Sequence, residues 1–145
     1  MEKRNPISKI CKPNFMFQCF RNCLVCEQVS KHFNCHSRFV VYSFICKLCV
    51  DKTSEYIGET CVWIIDRIKQ HQLSIKNRDS KSALSTHLKD IHPNETPSIN
   101  HFRLQIKQKC KDSHDTCIAE AIWIEREKPS LNRKYELNNY NLDYK

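Results

Sequence analysis

Two pairs of metal-binding residue types stand at spacings that are typical of zinc sites. Cys46 and Cys49 form a Cys-x-x-Cys pair, and His87 and His92 have four residues between them. Structural zinc is held tetrahedrally by cysteine sulfur and histidine nitrogen at such spacings. We therefore predict one zinc ion with all four positions filled by protein. Because His87 falls on the apolar stripe of a predicted helix, the alternative is a histidine that simply packs in the core.

A second group of cysteines precedes these residues. The spacing allows another structural zinc, although the register of four thiols is not fixed by sequence. The predicted ligands are Cys19, Cys23, Cys26 and Cys35, with His32, His36 and Cys11 as alternative ligands. The remaining thiols, Cys61, Cys110 and Cys117, are predicted to pack as buried, small apolar residues.

The composition favours an intracellular protein with an anionic partner. The 145 residues suffice for one domain with a modest core. The 24 Lys and Arg against 16 Asp and Glu give a net charge of +8, which suits nucleic acid. The start of the chain lacks the apolar stretch of a signal peptide, and no stretch is apolar enough to span a membrane. We therefore expect thiols in a reducing compartment, held free or on metal.

The elements that must position these residues follow from hydrophobic patterning. Residues 39–49 are rich in β-branched and aromatic residues and predict a buried strand, and 51–54 predict a turn into a second strand over 55–58. A helix over 61–75 is predicted after a Thr60 cap. A second begins near Ser80 or Lys81 and is stopped by Pro93. A strand with alternating apolar residues around 102–107 and a helix over 113–127 complete the order β-β-α-α-β-α, which defines an α+β fold with a small sheet flanked by helices.

Helical spacing also predicts which residues of the last two helices face the core. On the second helix they are Ala83, Leu84, Leu88 and Ile91, and on the third they are Ile118, Ala121, Ile122 and Ile124.

The only glycine of the chain, Gly58, directs attention to its neighbourhood. A chain so short of glycine uses it where φ is positive or where a side chain would block a neighbour. Val40-Val41-Tyr42 on the first strand and Tyr56-Ile57-Gly58 on the second resemble the paired motifs of the GIY-YIG endonucleases. The resemblance covers roughly residues 35–137 and extends, in order and approximate spacing, to Arg67, His71, Glu120 and Asn132.

The resemblance implies a metal-dependent nuclease and gives each residue a role. Glu120 would bind Mg²⁺ or Mn²⁺ through a hard oxygen, and Arg67 would present its planar fork to phosphate. Tyr42 or His71 would take the proton of the attacking water, with Tyr56 in the same pocket and Asn132 orienting the site near the metal. Because a phenol is a poor base at neutral pH, nearby cations must lower the Tyr42 pKa.

Taken singly, these residues also have ordinary structural interpretations. A strand tyrosine usually packs, Arg and His four residues apart often share a solvated helix face, and Glu120 could form a structural ion pair. The first motif departs from the family pattern, with Val40 and Val41 in place of Gly-Ile. The gap between Tyr42 and Tyr56 is longer than usual, and it holds Cys46 and Cys49.

The position of these cysteines resembles that in nucleases of Penelope-like retroelements. We therefore expect a Cys-rich N-terminal extension over 1–38, a nuclease-like domain over 39–137 and a polar tail over 138–145. The expected function is DNA nicking in the nucleus, with a reverse transcriptase region of the same element as a possible partner and a homodimer as one route to double-strand cuts. The alternatives are an inactive, zinc-stabilised nucleic-acid-binding module and an extracellular domain held by disulfides.

Overall fold

The computed structural model describes Cys19, residues 22–50 and residues 54–132. Within these ranges the predicted order of elements and the α+β fold class are confirmed. The predicted turn over 51–54 and the tail over 138–145 lie wholly or largely outside the described residues. The elements are β1 (Val40–Cys46), β2 (Glu55–Thr60), α1 (Ile64–Lys76), α2 (Ala83–Ile91), a 3₁₀ turn (Ile99–His101), β3 (Phe102–Lys109) and α3 (Ser113–Glu127).

The described strands form one antiparallel sheet with β1 in the middle, in the order β2-β1-β3. Tyr42 lies opposite Gly58 on one side and opposite Ile106 on the other, and the register shifts between Val41 and Tyr42. Because side chains alternate along a strand, β1 presents Tyr42, Phe44 and Cys46 to one face of the sheet. That face carries most of the residues predicted to do chemistry.

Helices cover both faces of the sheet. On the Tyr42 face, the main core includes Phe44, Ile68, Leu84 and Phe102, so α1 and α2 pack there. On the opposite face, α3 closes a smaller cluster composed of Val41, Ile57, Ala119 and Ile124. The first three of these apolar positions are small or β-branched, which lets α3 lie close to the strands.

The start of α1 differs from the prediction. Thr60 is the last residue of β2 and does not cap the helix, which begins at Ile64. The Thr60 hydroxyl instead accepts a hydrogen bond from the Val62 N–H at 3.1 Å. The helix N-terminus is satisfied by backbone carbonyls instead: the N–H groups of Ile64 and Ile65 donate to Ser37 and Cys35, at 2.9 and 3.0 Å.

The described part of the N-terminal segment packs into the main core. Val25 is fully buried there, and Cys26 and Cys35 are buried beside it. The Gln28 side-chain oxygen accepts the Leu104 N–H of β3 at 2.8 Å. Residues 22–38 therefore contact both α1 and the sheet, and a domain boundary at residue 38 stays a prediction.

Two predicted core positions are wrong. Ile91 is 59% exposed and Ile122 is 52% exposed. α2 begins at Ala83 with Ser82 as its cap, and Ile91 is its last residue, beyond the turns that contact the core. α3 buries Thr116, Ala119, Glu120 and Ile124, whereas Ile118 and Ala121 are half-buried. A prediction based on apolar residues placed the buried face of α3 wrongly, because two of its buried residues, Thr116 and Glu120, are polar.

No helix in the described part of the chain is both long and apolar enough to cross a membrane.

Candidate active site and metal centres

A hydrogen-bonded group of three side chains lies at the centre of the Tyr42 face. The hydroxyl of the fully buried Tyr42 lies 2.7 Å from His71 Nε2, and Arg67 Nε donates to it at 3.1 Å. Arg67 and His71 are four residues apart on α1, so both side chains leave the helix on the same side. The structure thus brings together three residues that the sequence motifs placed on different elements.

The direction of these hydrogen bonds follows from the donor inventory. Arginine can only donate, so the Tyr42 oxygen accepts from Arg67. Burial, together with the Arg67 charge, lowers the pKa of His71 to about 3, so its imidazole is neutral at pH 7. We assign the Tyr42 hydrogen to His71 Nε2, which places the imidazole proton on Nδ1. Tyr56 packs edge-on against the same imidazole, with ring centroids 5.7 Å apart.

The predicted lowering of the Tyr42 pKa is wrong for this structure. Burial raises the pKa of the phenol, and the Arg67 charge and hydrogen bond only partly oppose it. The carboxylates of Glu120 and Glu59 raise it further. The desolvation of a fully buried phenolate outweighs one neighbouring cation, so Tyr42 keeps its proton here.

The glycine of the second motif is required by the tyrosine of the first. A Cβ at Gly58 would lie 2.7 Å from the Tyr42 hydroxyl oxygen, 2.8 Å from Cζ and 3.0 Å from Tyr56 Cε1. The φ angle of Gly58 is not positive, so its use is steric and not conformational. Only glycine leaves room for the phenol ring to cross β2 and reach α1.

Glu120 is buried on α3, with 7% of its surface exposed. Its charge raises the pKa of both Tyr42 and Cys117, which places its electrostatic influence within the site. A buried carboxylate is costly unless it is compensated. Glu120 is thus a buried hard oxygen donor whose charge acts on the Tyr42 phenol.

Asn132 stabilises the outer edge of β2. Its side-chain oxygen accepts the Ile57 N–H at 2.9 Å, and its Nδ2 donates to the Ile57 carbonyl at 2.8 Å. The amide therefore pairs with β2 as a neighbouring strand would, directly beside Gly58. Asn132 therefore holds the second motif, Tyr56-Ile57-Gly58, in position. A role of Asn132 near a metal stays a prediction.

Two residues near Arg67 were missed in the sequence. Gln70 accepts a hydrogen bond from Arg67 Nη1 at 2.8 Å and is exposed. Burial raises the pKa of Glu59, and the Arg67 charge opposes that shift. Gln70 could have been found as the residue three positions after Arg67 on the same helix. Glu59 follows Gly58 directly, and nothing in its type or position separates it from a surface carboxylate.

The four ligands predicted for the first zinc site come together at the end of β1. Their donor atoms all lie within 4.8 Å of one another. Cys46 Sγ lies 3.6 Å from His92 Nε2, and Cys49 Sγ lies 3.4 Å from His87 Nε2 and 3.2 Å from His92 Nε2. A tetrahedral zinc site needs about 3.6 Å between sulfur and nitrogen. Backbone N–H groups of Leu48 and Cys49 point at Cys46 Sγ, as expected in a knuckle that stabilises a thiolate.

The four N-terminal cysteines, Cys19, Cys23, Cys26 and Cys35, also come together, with sulfur atoms within 4.8 Å of one another. The Cys19 and Cys26 sulfurs are 3.9 Å apart, close to the roughly 3.8 Å of a tetrahedral site with four thiolates. Backbone N–H groups of Cys26 and Cys35 donate to sulfurs of this cluster.

Of the alternative ligands, His32 and His36 are not part of this cluster. His36 stacks on Trp63 at 3.9 Å, His32 is exposed, and Cys11 lies outside the described residues.

Among the described residues, the three cysteines outside these clusters differ from their prediction as buried small residues. Cys110 and Cys117 are free and half-buried. Cys61 is half-buried and disulfide-bonded, whereas the sequence predicted a free thiol.

Two cavities of similar size flank Arg67 and Gln70. One, of about 190 Å³, also has Tyr56, His71 and Lys81 in its wall. The other, of about 180 Å³, is lined by Glu59, Thr60 and Cys117. Arg67 is therefore accessible from two sides, although its Nε contacts a buried phenol.

A small sheet with helices on both faces holds Tyr42, Arg67 and His71 in one hydrogen-bonded group, and the buried Glu120 acts electrostatically on the same tyrosine. The GIY-YIG catalytic domain family matches residues 38–136, and the chain belongs to that family. Nuclease function with DNA as substrate follows in general terms from this membership. No curated protein and no solved structure matches the chain.

Proposed function

We propose that this protein is a metal-dependent endonuclease that hydrolyses phosphodiester bonds in DNA and cuts one strand per active site. The observation that carries the proposal is the Tyr42 hydroxyl, which is held between Arg67 Nε at 3.1 Å and His71 Nε2 at 2.7 Å. A tyrosine kept only for packing needs neither a buried cation nor a neutral imidazole at its hydroxyl.

The geometry supports a proton relay through these residues. Once a water reaches the buried Tyr42 hydroxyl, Tyr42 accepts a proton from it and passes its own proton to His71 Nε2, and the resulting hydroxide attacks phosphorus. The low pKa of His71 opposes this transfer in the free protein. A bound phosphate would add negative charge beside Arg67, offset the charge that lowers the His71 pKa, and so favour the transfer only when substrate is present.

Arg67 is suited to stabilise the charge that develops on phosphate. Its Nε and Nη1 are held by Tyr42 and Gln70, which fixes the plane of the guanidinium. The direction of the remaining nitrogen, Nη2, is then fixed before substrate binds. Such preorganisation of a charged donor aids catalysis. A guanidinium keeps its proton at any ordinary pH, so Arg67 stays cationic in this partly buried position.

The donor set fits a hard divalent cation at Glu120. Mg²⁺ is commonly held by one or two carboxylates and keeps most of its waters, and Mn²⁺ accepts the same ligands. When bound, such an ion polarises the phosphate and supplies an acidic water. Glu120 would hold it, while Tyr42, Arg67 and His71 act on the water and the phosphate.

We further propose structural zinc at both four-ligand clusters and an origin in a Penelope-like retroelement. The distances at Cys46, Cys49, His87 and His92 support the first zinc site, and the four N-terminal sulfurs support the second. The place of Cys46 and Cys49 between the two tyrosine motifs supports the origin. Nuclear location, a reverse transcriptase partner and a homodimer belong to the same proposal.

The test is nicking of supercoiled plasmid by the zinc-loaded protein with Mg²⁺ or Mn²⁺. Glu120→Ala should abolish nicking and leave melting and DNA binding unchanged. Glu125→Ala, an exposed glutamate on the same helix, is the matched control and should nick normally. Nicking by Glu120→Ala would refute the metal assignment. A folded, zinc-loaded protein that binds DNA and never nicks would instead be a binding module.

A further inference from the structure

The cavity of about 190 Å³ beside the catalytic residues is bounded by two separate parts of the chain. Tyr56 from β2 and Arg67 and His71 from α1 form one side. Lys81 and the start of α2 form the other. The hydrolysis proposed above uses only residues on the β2 and α1 side of the cavity. The side formed by Lys81 and the start of α2 therefore has no function assigned to it.

Lys81 is the feature of the second side that points to a ligand. Its side chain is exposed, and its backbone N–H is held by Asp79 Oδ1 at 2.9 Å, so the loop that carries it is ordered by a local hydrogen bond. With Arg67 on the other wall, two cations face one cavity, and Asp79 is the one carboxylate that lines it. The companion cavity of about 180 Å³ sets Arg67 against Glu59 instead. Since the volumes are similar, charge decides which of the two favours an anion.

The Cys-His cluster fixes the position of this wall. Leu84 lines the cavity from the first turn of α2 and is buried, and His87 lies one turn further along the same helix. His87 Nε2 is 3.4 Å from Cys49 Sγ near the end of β1. The helix that bears the wall is thus tied to the same strand that bears Tyr42, so the two sides of the cavity are held at a fixed separation.

We infer that this cavity is a second phosphate subsite, in which Lys81 binds a phosphate adjacent to the one held by Arg67. The inference rests on the proposed function for the identity of the strand, but it can be tested by binding alone. DNA carries a charge at every nucleotide, so a cation set beside Arg67 adds affinity and fixes how the strand lies across the site.

The test compares Lys81→Gln with Lys89→Gln, an exposed lysine on α2 that lies outside this cavity. Binding of a short DNA duplex is measured across a range of salt concentrations in a Glu120→Ala background. Lys81→Gln should weaken binding by roughly tenfold at low salt and reduce the salt slope by about one. Lys89→Gln should change the slope less. Unchanged melting and zinc content for both variants exclude a folding defect.

A duplex series with one methylphosphonate at each position in turn locates the contact. At one position the neutral phosphate should abolish the difference between Lys81→Gln and the parent protein. If the difference is equal at every position, or if Lys81→Gln matches Lys89→Gln, the subsite is wrong. If the intact protein never nicks but the position-specific effect is found, the subsite stands and the proposed activity falls.

Discussion

Two polar clusters lie on the same face of β1 and are built on opposite principles. In the proposed catalytic cluster, the side chains of Tyr42, Arg67 and His71 hydrogen-bond to one another, at 2.7 and 3.1 Å. The Cys-His cluster at Cys46 has thiols and imidazoles 3.2 to 3.6 Å apart, a spacing that leaves room for an ion between them. The rings of Phe44 and Phe102 separate them: Phe44 contacts His71, and Phe102 contacts His87.

This difference separates what each cluster does for the protein. The Tyr42 cluster buries polar groups at the site proposed for catalysis, and its loss should leave the fold intact. The Cys-His cluster joins the end of β1 to α2, and a metal there would supply folding free energy directly. Substitutions in the two clusters should therefore affect activity and stability in opposite proportions.

The largest effect is expected for Cys49→Ser. Binding of structural zinc contributes apparent free energies of about 10–16 kcal/mol in zinc-finger peptides, and a serine oxygen does not replace a thiolate. We expect loss of one zinc per chain and of cooperative unfolding, measured by metal analysis and thermal melting. Cys110→Ser, a free half-buried cysteine outside both clusters, should keep zinc and fold normally. Unchanged zinc content and melting in Cys49→Ser would remove this cluster from the zinc proposal.

Arg67→Ala should show the reverse pattern. Removing a preorganised electrostatic group costs about 10²–10³ in rate, and nicking kinetics under single-turnover conditions would measure it. Melting should change little, because the Tyr42 hydroxyl keeps its His71 partner. Lys76→Ala, exposed on the same helix, is the control. A large loss of stability with a small loss of rate would make the arginine structural.

Gly58→Ala should disturb both properties, because Gly58 adjoins the catalytic cluster within the sheet. The new Cβ would lie 2.7 Å from the Tyr42 oxygen and 2.8 Å from Cζ, so the ring or the strand must move. Overpacking of this kind typically costs about 1–3 kcal/mol of stability. Denaturant unfolding would measure the cost, and a Tyr42→Phe background should reduce it by removing one of the two clashes. An equal cost in both backgrounds would mean that the hydroxyl is not what excludes a side chain.

The sequence predicted which residues form the Tyr42 cluster but not the pKa values of those residues. Residue type and order were enough to select Tyr42, Arg67 and His71, because i, i+4 spacing and strand alternation are local rules. The pKa of Tyr42 could not be obtained this way, since it depends on complete burial of the phenol and on two carboxylates from other elements. Glu59 was missed for the same reason, because its importance comes from the residues that face it, whereas Gln70 lies within reach of the local i, i+3 rule.

The helix boundaries show the same limit. α3 was predicted at 113–127, where its start at Ser113 and its end before Pro129 are set by adjacent residues. The start of α1 was predicted from Thr60, but carbonyls of Ser37 and Cys35 provide the caps. A cap that comes from a segment more than twenty residues away leaves no local pattern in the sequence.

The smallest expected effect is the acid sensitivity that His71 confers. The pKa of His71 is about 3 in the folded protein, below the ordinary value of 6.5. Between pH 3 and pH 6.5 the unfolded chain therefore binds more protons than the folded protein does. The stabilisation from the neutral imidazole is complete above pH 6.5 and is lost as the pH falls toward 3. At pH 5.5, one unit below the ordinary pKa, the free energy of unfolding should be lower by about 1.4 kcal/mol. Denaturant unfolding of the intact protein and of His71→Gln, at pH 7.5 and 5.5, measures it.

The two proteins should differ less in stability at pH 5.5 than at pH 7.5, because glutamine does not titrate. Acid release of metal from His87 and His92 acts on both proteins equally, so the change in the difference belongs to His71. His114→Gln, which removes an exposed histidine, should leave that difference unchanged. A constant difference between the two pH values would mean that His71 is not held neutral, and the direction assigned to the Tyr42 hydrogen bond would then have to be reversed.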